Sequence, residues 1–127
     1  MKLLVIDDDQ SVLAVIAEMI RTSRPDWEAH YVGDSADALN RLITQHYDLV
    51  LSDLHMPNLD GISMIRQAKD LLPRTPIVFL TGYKDRYAEA AWDLGAFAVL
   101  DKPIHVELLI ETLEAALREM KSLDEDQ

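Results

Sequence analysis

Asp53 is the first candidate for chemistry in this sequence. It ends a mostly apolar run, Leu-Val-Leu-Ser at positions 49–52, and Pro57 follows closely behind it. Such a run is typical of a buried strand, here with a carboxylate at its carboxyl end. In open parallel α/β sheets, ligands bind outside the carboxyl ends of the strands. An aspartate in that place can act as a nucleophile, because aspartyl phosphates are established covalent intermediates.

Other polar side chains follow the remaining apolar runs of the chain: Asp7, Asp8, Thr81 and Lys102. If the strands are parallel, their carboxyl ends share one edge, and these side chains should meet Asp53 there. Strand ends are also where polar residues reach the surface, and that plain interpretation accounts for one or two of them. It does not account for three carboxylates at the centre of a sheet, where like-charge repulsion opposes folding or raises a pKa.

A hard divalent cation would relieve this repulsion. Mg²⁺ prefers oxygen ligands in octahedral geometry and retains several waters, so the carboxylates of Asp7, Asp8 and Asp53 suit it. The backbone carbonyl of His55 is our candidate for a further protein ligand. Zinc fits less well, because the cluster has no cysteine and no histidine pair at ligand spacing.

Together, Mg²⁺, Thr81 and Lys102 form a set suited to phosphoryl transfer. A phosphoryl group in transfer carries negative charge on its equatorial oxygens, and catalysis consists largely of positioning and charge stabilisation. The metal and the Lys102 ammonium would supply positive charge, and the Thr81 hydroxyl would supply a hydrogen bond. Gly82 has no side chain and would leave room for the phosphate.

The apolar periodicity predicts that strands and helices alternate along the chain. The predicted strands are Lys2–Ile6, Trp27–Val32, Leu49–Ser52, Ile77–Leu80 and Phe97–Leu100. The predicted helices are Ser11–Thr22, one marked by Ala38, Leu39, Leu42 and Ile43, one from Gly61 to Leu72, Arg86–Leu94 and His105–Lys121. This alternation, with right-handed crossovers, predicts an α/β doubly wound parallel sheet. We predict the flavodoxin-like (βα)5 fold with strand order 2-1-3-4-5.

Length and charge restrict the class of protein. The 127 residues fit one domain, for which we predict the bounds 1–121, with 122–127 as an acidic polar tail or the start of a linker. The formal charge of −11 argues against nucleic-acid binding. The chain lacks cysteine, which suits a reducing cytosol, and no apolar run approaches the roughly 20 residues of a membrane span. We therefore expect a cytoplasmic domain that binds neither nucleic acid nor membrane.

The candidate residues lie in four short motifs: Val5-Ile6-Asp7-Asp8, Asp53-Leu-His-Met-Pro57 with Asp60-Gly61, Leu80-Thr81-Gly82 and Lys102-Pro103. Any one of these motifs is weak, but four in this order are highly specific. They resemble the motifs of the receiver domains of two-component response regulators, and the resemblance covers about Lys2–Lys121. The resemblance implies that Asp53 is the phosphoacceptor and Asp8 the more direct metal ligand of the acidic pair. It also implies a cis Lys102-Pro103 peptide and the family's hydroxyl and lysine at Thr81 and Lys102.

The resemblance further implies a role in signalling. Such domains take a phosphoryl group from a phosphohistidine on a sensor histidine kinase or a histidine phosphotransfer protein. They then change their binding surface toward a downstream target or a covalently linked output domain. A phosphoacceptor of this kind is not an enzyme, although self-catalysed phosphorylation and slow dephosphorylation are expected. The last helix has apolar residues at heptad-like spacing, which allows a homodimer, but docking on the sheet explains the pattern better.

Val99 departs from the family pattern, which has an aromatic residue three positions before the lysine. Valine has no ring to rotate, so the usual coupling between that ring and Thr81 is in question. Phe97 lies two residues earlier, and strand alternation predicts that it shares a face with Val99. His55 and Tyr83 sit where side chains could line the mouth of the site, and both are equally well ordinary loop residues. We expect Trp92 to pack in the core.

Two alternatives to a phosphorylated receiver remain. The first is an enzyme on the same fold, but a phosphate loop or a Gly-x-Gly-x-x-Gly motif is absent after the first strand, where three aspartates stand. A phosphatase with an aspartyl nucleophile would carry it on the first strand rather than the third. The second alternative is a degenerate receiver that works as an unphosphorylated interaction module. The presence of all the signature side chains argues against a degenerate receiver, whereas Val99 is the best support for one.

Overall fold

The structure is a computed structural model, and it describes residues 1–54, 61–68, 74–82 and 88–125. The strands are β1 (Lys2–Ile6), β2 (Glu28–Val32), β3 (Leu49–Asp53), β4 (Ile77–Thr81) and β5 (Ala98–Asp101). The helices are α1 (Gln10–Ser23), α2 (Ser35–Thr44), α3 (Gly61–Ala68), α4 (Ala88–Asp93) and α5 (Val106–Glu125). Strands and helices alternate throughout, as the apolar periodicity predicts.

The strands form one parallel sheet in the order β2-β1-β3-β4-β5. The predicted flavodoxin-like arrangement is confirmed. Ile6 pairs with Ser52, Asp53 with Leu80, and Thr81 with Asp101, so the carboxyl ends of the inner strands lie almost level. This register brings the polar residues that follow each strand to one edge.

Buried side chains form two apolar clusters, one on each face of the sheet. Because side chains alternate along a strand, β1 contributes Leu4 and Ile6 to one cluster and Leu3 and Val5 to the other. Helices α2, α3 and α4 cover the first cluster, whereas α1 and α5 cover the second. The three inner strands β1, β3 and β4 are thus covered on both faces.

The apolar stripe of α5 docks on the sheet. Leu109, Leu113 and Ala116 of the heptad-like pattern are buried in the second cluster. Docking therefore explains these residues of the stripe. The helix continues to Glu125, beyond the Lys121 end that we predict, and no proline or glycine interrupts those residues.

Two predictions about aromatic residues are wrong. Phe97 precedes β5, which begins at Ala98. Phe97 packs against the second cluster, under α1 and α5, whereas Val99 packs against the first cluster on the opposite face. Strand alternation therefore does not extend back to Phe97, and the two residues lie on different faces. Trp92 is 51% exposed on α4 instead of packing in the core, because Ala91 occupies the buried position next to it.

Local capping explains where several helices begin and end. The carboxylate of Asp9 accepts hydrogen bonds from the backbone and hydroxyl of Ser11, which lower the pKa of Asp9 and start α1. Asp34 caps α2 in the same way through the N–H of Ala36. Gly95 follows α4 with a φ of 84°, a left-handed conformation that glycine adopts without strain. Among the described residues, no helix is long and apolar enough to cross a membrane.

Candidate functional site

Asp53 is the last residue of β3, at the carboxyl edge of the sheet between β1 and β4. It is only 5% exposed. The backbone N–H of Leu54 donates to the carbonyl of Leu80 at 3.0 Å, which continues the pairing of β3 with β4 past Asp53. The position of the carboxylate is therefore set by strand pairing rather than by a free loop.

Asp7 follows β1 directly and is completely buried. Its backbone N–H donates to the carbonyl of Val32 at 3.1 Å, so the pairing of β1 with β2 extends to it. Its Oδ1 accepts a hydrogen bond from the N–H of Asp9 at 2.9 Å, and its Oδ2 lies 3.0 Å from the Nζ of Lys102. One carboxylate oxygen of Asp7 thus accepts a backbone N–H and the other faces the ammonium of Lys102, which fixes the orientation of the group.

A cluster of three carboxylates forms at this edge. One oxygen from each of Asp7, Asp8 and Asp53 lies within 4.8 Å of the others, and Asp8 is the exposed member. Among the ion pairs of the described residues, the ammonium of Lys102 contacts two of these three carboxylates, Asp7 and Asp53. A hard divalent cation would offset the repulsion between carboxylates this close, and carboxylate oxygens are the ligands that Mg²⁺ prefers. The cluster therefore fits the predicted metal, with Asp8 open to solvent for its exchange.

Lys102 joins the two buried carboxylates. Its backbone N–H donates to the carbonyl of Thr81 at 2.9 Å, and its Nζ lies 3.0 Å from Asp7 and 3.5 Å from Asp53. Burial lowers the pKa of Lys102, but the close ion pair with Asp7 and the charge of Asp53 outweigh burial, so the pKa is raised overall. The side chain is consequently a permanent ammonium at neutral pH. The Lys102-Pro103 peptide is cis, as the motif resemblance implies.

Thr81 and Gly82 form the neighbouring wall at the end of β4. Thr81 is 1% exposed, and Gly82 next to it is exposed. A Cβ added to Gly82 would meet no atom within 4 Å, so open space lies beside the carboxyl end of β4. This space agrees with the expectation that Gly82 leaves room for a tetrahedral group.

The described residues of the predicted site thus lie together at one edge, although they come from four different strand ends. His55 and Tyr83 lie outside the described residues, so the predicted carbonyl ligand and the predicted lining are not placed. Sequence reasoning missed the N–H of Asp9 as a donor to Asp7, because backbone donors leave no signal in residue type. It also did not anticipate that Lys102 lies closer to Asp7 than to Asp53.

The fold and the acidic edge together define a receiver-type α/β domain, and comparison with known proteins agrees. The family model described as "Response regulator receiver domain" matches residues 3–114 of this chain. This chain belongs to that family, which comprises the receiver domains of two-component response regulators.

Curated relatives include longer regulators. The transcriptional regulatory protein ZraR of Salmonella typhimurium is 35% identical over 116 residues, which are 91% of this chain and 26% of that protein. The response regulator ArlR of Staphylococcus saprophyticus is 31% identical over 118 residues, 92% of this chain and 52% of that protein. The chain therefore spans about a quarter of the first protein and about half of the second.

Solved structures share the fold. A response regulator receiver domain protein from Clostridium thermocellum has a TM-score of 0.86 and 30% identity, with 96% of this chain and 98% of that chain covered. A CheY-like receiver domain protein from Methanospirillum hungatei has a TM-score of 0.88 at 22% identity, covering 95% and 96% of the two chains. The second likeness concerns the fold alone.

Proposed function

We propose that this domain accepts a phosphoryl group on Asp53 from a phosphohistidine, with Mg²⁺ bound at the acidic cluster. The observation that carries the proposal is the three-carboxylate cluster with Lys102 between its two buried members. A structural role alone leaves this crowding of carboxylates unexplained, because like charges this close oppose folding. A divalent cation bound there would offset the repulsion and supply positive charge for the oxygens of an incoming phosphoryl group.

In this proposal, an oxygen of the Asp53 carboxylate attacks phosphorus and forms the new P–O bond. The P–N bond to the donor imidazole breaks, and its electron pair stays on the imidazole nitrogen. The ammonium of Lys102, 3.5 Å from Oδ2 of Asp53, stands where it can pair with a phosphoryl oxygen. The hydroxyl of Thr81 is our candidate donor to another of those oxygens.

Asp7, Asp8, Asp53 and the carbonyl of His55 are the proposed ligands of Mg²⁺, with Asp8 as the more direct ligand of the acidic pair. Asp7 already shares its Oδ2 with Lys102, and Asp8 is exposed, which supports this division of roles. When bound, the metal supplies positive charge to phosphoryl oxygens during transfer. Asp7 meanwhile keeps the ammonium of Lys102 directed toward Asp53.

The partners follow from the same chemistry. The proposed donor is a sensor histidine kinase or a histidine phosphotransfer protein in the cytoplasm. We propose that residues 1–121 act as the receiver and that residues 122–127 are an acidic polar tail or the start of a linker. Because this chain matches only part of its longer relatives, the proposed output is either a covalently linked domain or a separate protein target. Self-catalysed phosphorylation and slow dephosphorylation of Asp53 complete the cycle.

A degenerate receiver that works without phosphorylation is the second candidate, and Val99 favours it. Val99 is partly buried and packs against the first apolar cluster. A valine has no aromatic ring that could move between a buried and an exposed position. The acidic cluster favours the first candidate, since an unphosphorylated module has no use for it.

Intact-mass measurement separates the two candidates. Incubation with Mg²⁺ and acetyl phosphate should add one phosphoryl group to the protein, and Asp53→Asn should prevent the addition. Asp93→Asn, which changes an exposed carboxylate on α4, serves as the matched control and should be phosphorylated normally. An unchanged mass for the unaltered protein would support the degenerate module instead.

A further inference from the structure

A groove of about 470 Å³ lies between the end of α1 and the first half of α5, and its lining includes none of the residues of the acidic cluster. Ser23 and Arg24 form one side, and residues 106–114 of α5 form the other. Val106 and Ile110 provide the apolar part of the groove. Val106 is 38% exposed, so an apolar side chain is left in contact with solvent here.

The charge of the groove is unbalanced. It contains three carboxylates, Glu107, Glu111 and Glu114, and the guanidinium of Arg24. Arg24 forms an ion pair with Glu114 across the two helices. Among the described side chains, no cation lies within ion-pair distance of Glu107 or Glu111, and both are exposed. The open half of the groove is therefore apolar with two unpaired carboxylates beside it.

The stability of α5 accounts for Glu107 but not for Glu111. Glu107 lies in the first turn, where a negative charge interacts favourably with the helix dipole. Glu111 lies beyond that turn and repels Glu107, because like charges four residues apart on a helix are neighbours. A cationic side chain placed between them would remove this repulsion, and an apolar one would cover Val106.

We propose that this groove docks a helical segment of a partner protein with two basic residues four positions apart next to an apolar residue. The basic pair matches the spacing of Glu107 and Glu111, which are one turn apart on α5. The apolar residue enters between α1 and α5 and packs on Val106 and Ile110, as an amphipathic helix does in an apolar groove. The proposal does not depend on phosphorylation of Asp53.

Synthetic helical peptides test this docking directly. The probe is an alanine-based peptide with two arginines four residues apart and leucines on the same face; the matched probe has glutamine at both arginine positions. In an NMR titration of the full 127-residue protein, the arginine probe should shift the amide signals of Arg24 and of residues 106–114. The glutamine probe should bind much more weakly, and added salt should weaken the binding of the arginine probe.

Variants identify the contributing groups. Glu107→Gln with Glu111→Gln should raise the Kd of the arginine probe roughly tenfold, the effect expected for two modest surface ion pairs. Glu89→Gln with Glu119→Gln removes the same charge from other exposed positions and should leave the Kd unchanged. Val106→Ala should weaken the binding of both probes, since this substitution removes apolar contact and leaves the charge unchanged.

Several results would overturn the proposal. They are an arginine probe that fails to saturate, signal shifts confined to other surfaces, or an equal loss of affinity in the Glu89 and Glu119 control. The last result would mean that the net negative charge of the protein attracts the peptide without a defined site. The titration is repeated on Asp53→Asn, where unchanged affinity is expected, so failure of phosphorylation and failure of docking are read separately.

Discussion

The Nζ of Lys102 lies 3.0 Å from Oδ2 of Asp7, closer than to Oδ2 of Asp53 at 3.5 Å. Asp7 is fully buried, and its other oxygen already accepts the N–H of Asp9. The lysine is thus anchored on one aspartate and directed toward the other. The ammonium of Lys102 therefore needs to move only a short way to pair with a phosphoryl group on Asp53, and it would stay close to Asp7.

Replacement of the lysine should destabilise the protein through Asp7. Lys102→Gln removes the cation that compensates a buried carboxylate, and we expect a loss of about 1–3 kcal/mol in the free energy of unfolding. Urea unfolding without Mg²⁺ measures this loss. Addition of Mg²⁺ should recover part of it, because the metal supplies positive charge to the same cluster.

Arg21→Gln is the control for that experiment. Arg21 pairs with Glu18 on the exposed surface of α1, and such pairs contribute little to stability, so this variant should unfold almost as the unaltered protein does. If Lys102→Gln were no less stable than Arg21→Gln, the bond to Asp7 would have no structural role.

The raised pKa of Lys102 predicts an alkaline dependence of stability. A group whose pKa is higher in the folded state stabilises that state fully below its unfolded pKa, and this contribution is lost as the pH rises through the folded pKa. For Lys102 the loss should therefore begin above its ordinary value of 10.5. The difference in unfolding free energy between the unaltered protein and Lys102→Gln should be constant at neutral pH and shrink in that alkaline range.

Urea unfolding of both proteins across this pH range measures the difference, in which the other titrating groups largely cancel. A difference that already shrinks near neutral pH would contradict a raised pKa of Lys102.

Removal of Asp8 should weaken Mg²⁺ binding. Removal of a group that only orients a metal ligand already lowers metal affinity by about tenfold or more. Asp8 is itself a proposed ligand, so Asp8→Ala should raise the Kd for Mg²⁺ by at least about tenfold. Titration calorimetry gives this value without a reporter group. Asp26→Ala, which removes an exposed carboxylate before β2, should retain the parental affinity. Equal affinities of Asp8→Ala and the unaltered protein would exclude Asp8 as a ligand.

Much of the framework could be predicted from local patterns. Apolar runs end at Asp53, Thr81 and Asp101, and the alternation of strands with helices restricts the sheet to a few topologies. Parallel strands then require their carboxyl ends to share one edge, which brings the site residues together. These features depend on periodicity and chain direction, both of which are properties of neighbouring residues along the chain.

Other features depend on packing between distant parts of the chain. The residue types and their spacing are enough to predict which side chains reach the acidic edge, but strand register and the β5–α5 connection place Lys102 nearer Asp7 than Asp53. The starting residue of β5 decided that Phe97 and Val99 face opposite clusters. Similarly, Trp92 is exposed because the small Ala91 faces the core. Each outcome depends on which element lies opposite a residue, and only the tertiary structure decides that.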